Sequence, residues 1–486
     1  MRKIYIFVLT LLTIASLSAQ TLTQYPQSKD FNYLKAAYTT FVGEDAQSIY
    51  LATYATKSFL GNYKTSDIMV AAVDHNLKEQ RTFKFEDTDD HTIVAAAMNG
   101  EEVIVLAYLF DDNKLTLTRF RVNVTTMKLA AQPENLLTLS GKNCYTWYKW
   151  SSNHQYFGFV TGLTTPKKKE LSMSQLLFDN NLQLVWKHDY PINSLRDIAV
   201  GNDGTIATLG YTSEESCTRF IFGNITAQDG RQFDAQYNFF VNPITASLID
   251  YRNGLYIMGG IINAADSPSD DECYDRYFGL VYNSRTEIFS GKANTFTLEE
   301  VNVLGDKESD KRQKHLYADN LILNCEQPTP YGGALTIQRK YTVIERDANG
   351  ISSTFHCQTG LLSFGLDTNG NLLWHCPIRS NMVSNDISYS TCETFVDGDH
   401  YYVLHSESKK APTSYDNSEP MKIVNFIKGA PRLACYDIAP DGNVSKKLFE
   451  LEDNGGVARN VRKLGDKYYG ILSRLSKSTL YSLEIK

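Results

Sequence analysis

Four sets of residues carry side chains whose types and spacing could do chemistry. Asp367-Thr-Asn-Gly-Asn371 offers hard oxygens for a cation. An EF-hand loop needs glycine at its sixth position and glutamate at its twelfth. Here Gly370 is fourth and Ile378 is twelfth, so the stretch reads as a tight turn. The acidic segment 266–275 brings Asp266, Asp270 and Asp271 close together. Their carboxylates could hold calcium; the alternative is a solvated loop. No other cofactor is expected. His356-Cys357 and His375-Cys376 repeat a step of zinc-ligand types. Neighbours on a strand point to opposite faces, which opposes joint ligation.

The fourth is CYTWYKW, residues 144–150, the densest aromatic run. On a strand Tyr145 and Trp147 face one way, and Tyr148 and Trp150 the other. One set packs in a core; the exposed set could stack on a sugar or a peptide. The nine histidines form no HxH or HExxH, and there is no GxSxG, P-loop or dinucleotide fingerprint. In the aspartate box of sialidase-like folds, Asp precedes Gly by two residues and the aromatic by five. Here the distances are three and seven.

These residues need elements to hold them, and the same turn supplies the clue. GLDTNGNLLWHCPI (365–378) has an echo in LFDNNLQLVWKHDYPI (177–192), with Asp179 on Asp367 and Trp186 on Trp374. Weaker copies place Asp or Asn at 74, 123, 224, 283 and 437. A period of roughly 50 residues with insertions marks propeller blades. Each copy reads as a β-hairpin: a strand ends on Asp or Asn, Asn and Gly reverse the chain, and a strand follows. The tryptophans are apolar plugs expected between neighbouring blades. Runs such as HTIVAAAMNG, EEVIVLAYLF and KLTLTRFRVN alternate or stay apolar between turns, as strands do. After Asp437 only three strands remain, in VARNVRKL, KYYGILSRL and TLYSLEIK. TLTQYPQ (21–27) could supply the fourth and remove the open sheet edge. The expected fold is all-β: a single propeller of four-stranded blades, closed by the N-terminal strand. Eight blades are preferred and seven is the alternative count.

On GLDTNGNLLW and this blade plan, the chain resembles the quinoprotein-like (PQQ-type) β-propeller repeat superfamily. The resemblance implies the propeller fold over most of the chain. Quinoprotein dehydrogenases of that superfamily bind a quinone cofactor and calcium. No matching catalytic constellation or vicinal cysteine pair is present, so the resemblance implies no activity here. Other members are non-enzymatic scaffolds.

The chain begins with a leader pattern. MRK is a positive n-region, IYIFVLTLLTI is apolar, and Leu17-Ser18-Ala19 offers a cleavage site before Gln20. The apolar run falls short of the roughly 20 residues a bilayer span needs. Residues 1–19 are therefore expected as a signal peptide and 20–486 as the propeller, exported to the periplasm or the exterior. Removing Arg2 and Lys3 with the leader takes the net charge from −7 to −9. No basic patch gathers positive charge for phosphates, which excludes nucleic acid as a partner class. The lysines at 167–169 read as a solvated loop tip. Eight cysteines at wide spacings permit disulfides in an exported protein, or buried thiols where they fall in strands, as at Cys217 and Cys435.

Long segments stand out at 161–170, 263–275, 326–356 and 406–420, each placed between strands two and three of a blade. The segment 291–314 is placed between blades. All would share one face. Long loops on a rigid scaffold are where binding concentrates. Tyr274, Asp275, Tyr331 and Tyr415 are the candidate contact residues there, beside Tyr145, Trp147, Tyr148 and Trp150. The expected function is non-catalytic binding of a protein or glycan. The competing reading is a polysaccharide hydrolase or lyase working in the central funnel, which clustered carboxylates of perturbed pKa would favour.

Overall fold

A computed structural model describes residues 20–24, 38–54, 56–59, 62–75, 80–164, 171–192, 195–214, 217–225, 232–239, 243–252, 254–263, 273–304, 318–319, 321–346, 352–384, 392–407, 411–417, 424–425, 432–451, 457–474 and 477–485. The leader, the 167–169 lysines and Asp266, Asp270 and Asp271 lie outside them.

The strands form eight antiparallel four-stranded sheets among the described residues, each a meander except the last. Two sheets gain a short fifth strand, and a separate two-stranded hairpin, Thr56–Phe59 with Asn62–Thr65, extends the second-to-third-strand connection of sheet 1. The first strands of sheets 1 to 8 are Tyr38–Glu44, Thr92–Asn99, Asn143–Trp150, Asp197–Val200, Pro243–Arg252, Leu321–Thr329, Glu393–Asp397 and Val457–Leu464. The third strands of sheets 1 to 7 are Met69–Asp74, Lys114–Asn123, Leu171–Asp179, Cys217–Ile225, Cys273–Asn283, Ser352–Asp367 and Arg432–Ile438. All seven Asp or Asn positions of the sequence repeat fall at the end of a third strand or one residue before it. Sheet 8 takes its fourth strand from the N-terminus: Gln20–Gln24 pairs antiparallel with Lys477–Ile485, Leu22 opposite Leu483.

The repeat is a hydrogen-bonded hairpin. Asp367 Oδ1 accepts the backbone N–H of Asn369 and Asn371, both at 2.8 Å. Asp179 Oδ1 takes Asn181 at 2.9 Å and Gln183 at 2.8 Å. Asn123 and Asn283 serve the same way through their side-chain oxygens. These side chains mimic a turn of backbone, which is why Asp and Asn recur there.

The core is divided along the chain. Eight hydrophobic clusters occur among the described residues, each between consecutive sheets. One joins Phe41, Ile49 and Val73 of sheet 1 to Tyr469, Ile471 and Leu480 of sheet 8. Sheets packed face to face in this order make a β-propeller arrangement. Trp186 packs on Ile198, Val200 and Ile206 of sheet 4. Trp374 packs on Tyr401, Ala434 and Ile438 of sheet 7. Both tryptophans are buried, as the plug reading expects. No helix among the described residues is long and apolar enough to cross a membrane. The one described helix, α1, Leu298–Leu304, lies between sheets 5 and 6. It starts on a capping box: Thr297 Oγ1 accepts Glu300 N–H, and Glu300 Oε2 accepts Thr297 N–H.

The long segments 161–170, 263–275, 291–314 and 406–420 lie only partly within the described residues, which there hold the ends of strands Tyr156–Thr164, Leu255–Asn263, Cys273–Asn283, Ile288–Thr295 and His400–Glu407, helix α1 and residues 411–417. The segment 326–356 is different. It holds the end of one strand, a turn at 330–331, strand Gly332–Arg346 and the start of Ser352–Asp367. Alternation is weak in its inner half because Gly332–Arg339 is buried on both faces, so it did not stand out as strand.

Candidate functional site

The first strands surround two adjoining cavities of about 680 and 300 Å³ that share Lys149, Trp150, Ser152, His154, Gln327 and Pro328. Together they touch the first strand of all eight sheets, from Tyr38 and Val94 to Val200, Ile249, Gln327, Phe395 and Arg462. This is the candidate site.

Its wall is aromatic. Tyr38 stacks on Tyr54 at 5.4 Å. Trp150 lies 5.2 Å from Phe157 and 5.8 Å from the His154 ring. Phe395 sits 4.2 Å from Tyr468. Burial, then neighbouring tyrosines, push the Tyr38 hydroxyl up; Tyr54 is pushed up to about 12 by burial, then by Tyr148 and Tyr108. These hydroxyls are therefore donors and not bases near neutral pH.

Charge in the wall is mostly paired. Lys149 Nζ meets Asp197 Oδ2 at 2.7 Å, and Lys463 pairs with Asp397. Burial pushes the Glu393 carboxyl up to about 7, against the lowering effect of the backbone N–H groups of Asn460 and Val461 and of Arg459. Those N–H groups are released by a register shift between Arg459 and Arg462, where Asn460 adopts φ 56. A bulge of this kind bends the strand and re-aims the side chains that follow it. Arg462 comes after the bulge, lines the larger cavity and donates to Phe41 O. His154 is held below the usual histidine range by burial and then by the Arg462 charge.

The candidate residues from sequence divide sharply. Tyr148 and Trp150 reach the cavity, while Trp147 packs toward sheet 4, so the two sets do face opposite ways. Tyr145 is 47% exposed and stacks with Trp147 at 6.3 Å. Tyr274 is no contact residue: it is 1% exposed, because it lies within strand Cys273–Asn283 and faces the core shared with Phe296 and Leu304. Asp275 is beside it, pairing with Arg276 at 3.0 Å. Tyr331 lies at the short first-to-second-strand turn of sheet 6, the opposite end from the long connections, and its hydroxyl accepts the Trp374 indole N–H at 3.2 Å. Tyr415 ties its connection to the scaffold by donating to Pro377 O at 2.8 Å. The same connection covers a buried ion pair, Lys446 Nζ to Glu407 Oε2 at 2.7 Å, with Lys446 also donating to Pro412 O. The two His-Cys steps do not meet. Cys376 stands opposite Ser363, six residues along the strand from Cys357, or roughly 20 Å. His375 Nδ1 instead bonds Glu300 Oε1 at 2.8 Å. Cys435 is buried, as a small apolar residue would be.

Tyr38, His154, Glu393 and Arg462 did not emerge from the sequence. The only signal was their place on the first strand of a repeat, or on the turn after it.

No family model and no curated protein matches the chain. Among solved structures it is similar to the Dos1 propeller at 8% identity and TM-score 0.44, covering 95% of each chain. It is similar to the Nup133 β-propeller domain of Vanderwaltozyma polyspora at 8% identity and TM-score 0.40, covering 97% of this chain and 98% of that one. It is also similar to the polysaccharide lyase Uly1 at 12% identity and TM-score 0.37, covering 81% and 89%. None of these likenesses bears on ligand or chemistry.

Proposed function

We propose that the eight sheets are the blades of one ring, closed by Gln20–Gln24 on a plan similar to the PQQ-type propellers, in an exported protein that binds an oligosaccharide in its central channel without catalysis. One observation carries the reading. Tyr38, Tyr148 and Trp150 line the channel half-buried and offer it ring faces and hydroxyls, while Asp197 and Asp397 are taken up by lysines. Aromatic faces stack on sugar rings, and hydroxyl donors fix their orientation. Glycoside hydrolysis needs two carboxyl groups roughly 5–10 Å apart and available to substrate. Glu393 accepts the Val461 N–H of the bulge, and the described residues lining the two cavities include no Asp or Glu.

The test is titration of the mature protein with a panel of oligosaccharides, read by calorimetry and by chromatography of the sugar. Saturable binding with the sugar recovered intact is expected. Shortened or unsaturated products would favour the hydrolase or lyase instead. Absence of any binding would remove the channel reading.

A further inference from the structure

We propose that Arg462 makes the channel a receptor for a carboxylate carried on a sugar ring, so that the preferred ligand is an acidic oligosaccharide. The inference rests on the channel being the ligand site. Lys149 and Lys463 each have a carboxylate partner. Arg462 has none among the described residues: its guanidinium donates to a neutral carbonyl, that of Phe41. A guanidinium presents five N–H donors in a fixed fork. One reaches Phe41, and the rest of the fork has no acceptor of opposite charge. Removing such a charge from water without a partner is costly, and the cost falls when an anion arrives.

The surroundings select the kind of anion. The guanidinium opens into a cavity of about 680 Å³, room for a few sugar rings and more than one inorganic ion needs. Tyr38 is an electrostatic neighbour of both Arg462 and Tyr148. Tyr148 and Trp150 line the same cavity and offer ring faces. His154 lies within reach of the Arg462 charge and stays neutral near pH 7, so it adds a polar nitrogen without competing for the anion. A planar carboxylate matches the guanidinium fork by two parallel hydrogen bonds. The sugar ring that carries it would lie against the aromatic wall. The bulge at Asn460 and Val461, secured by Glu393, aims Arg462 into this space.

The experiment compares trigalacturonic acid with maltotriose by calorimetry on the mature protein, in 0.05 and 0.5 M NaCl. The acidic trisaccharide is expected to bind about tenfold more tightly at low salt and to lose that margin at high salt. Arg462→Gln should erase the preference, and Arg462→Lys should keep part of it, since lysine supplies charge but not the fork. Circular dichroism checks the fold of each variant. If Arg462→Gln fails to fold, Tyr38→Phe, which removes one hydroxyl and should weaken the acidic ligand severalfold, takes its place. Equal affinity for the two trisaccharides, or a preference that survives Arg462→Gln, overturns the inference and leaves the channel as a sugar site. Binding of neither trisaccharide overturns both, and a carboxylate-terminated peptide that binds in their stead would assign the anion site to a protein partner.

Discussion

The two best copies of the repeat, Asp179 to Trp186 and Asp367 to Trp374, make the same turn with different residues. Leu182 N–H bonds Asp179 O at 3.0 Å, and Gly370 N–H bonds Asp367 O at 3.0 Å. The backbone is left-handed at both, φ 55 at Leu182 and φ 80 at Gly370. That conformation costs a leucine about 1–2 kcal/mol. The cost is offset because Leu182 is fully buried beside Phe157 and Phe178, worth about 1.5–3 kcal/mol. Glycine is therefore not demanded by the turn itself. It is demanded by the neighbour: a Cβ at 370 would sit 3.0 Å from Gly279 O and from Gly291 Cα of sheet 5. The carboxylate sets the turn, and the adjoining sheet sets the residue at its tip. The plugs differ likewise. The Trp186 indole donates to Gly204 O of the next sheet, whereas Trp374 donates to Tyr331 of its own sheet and lies over Gly365, where any side chain would collide with the indole.

This comparison can be broken at four points. Trp186→Ala and Trp374→Ala should each cost about 3–5 kcal/mol in chemical denaturation, since each leaves a cavity between two sheets. A loss below about 1 kcal/mol at either would mean that the tryptophan is no plug. Gly370→Ala should cost about 1–3 kcal/mol, from the left-handed backbone and the pressed neighbour together; a neutral result would show that sheet 5 yields freely. Leu182→Gly should cost less, about 1 kcal/mol, because relief of strain offsets part of the lost burial. A stabilised Leu182→Gly variant would reverse the account of that turn. The smallest effect concerns acid. Burial pushes the Asp367 carboxyl up, but the hydrogen bonds from Asn371 and Asn369 outweigh it and hold the group below the usual aspartate range. Its contribution is thus present above about pH 4 and lost as pH falls further. Melting curves from pH 5 to pH 2 should show Asp367→Asn losing a few tenths of a kcal/mol less than the parent, the value being small because the site is largely solvated. Equal acid losses would remove the carboxylate from the argument.

Much of the scaffold was legible because its signals are local. Asp or Asn before a turn satisfies backbone N–H groups within four residues, so the third-to-fourth-strand hairpins of sheets 1 to 7 announce themselves. Sheet 8 carries no copy of the motif, since its fourth strand arrives from residues 20–24 and no turn is needed. Even here the signal can slip by a few residues: in sheet 7 it is Asp441, not Asp437, whose side chain takes a turn N–H, that of Asn443. Asp437 instead bonds His400 Nδ1 at 2.5 Å. The site was legible only in part. Tyr148 and Trp150 stood out as aromatics on one strand, but Tyr274 and Tyr331 looked like loop residues because 263–275 and 326–356 looked like loops. Both segments carry strand, and strand partners far along the chain leave no mark in a local pattern.

The sequence by itself determined where strands end, which side chains alternate along them, and that the chain repeats one hairpin. These follow from turn chemistry and from the two-residue period of a strand, which act over a few residues. Only the tertiary structure decided that the first strands face two adjoining cavities and that a bulge two residues long turns Arg462 into the larger one, with no carboxylate partner among the described residues. Those outcomes depend on which sheets pack together and on a slip in pairing between distant strands. Both are settled by contacts that no short stretch of sequence contains.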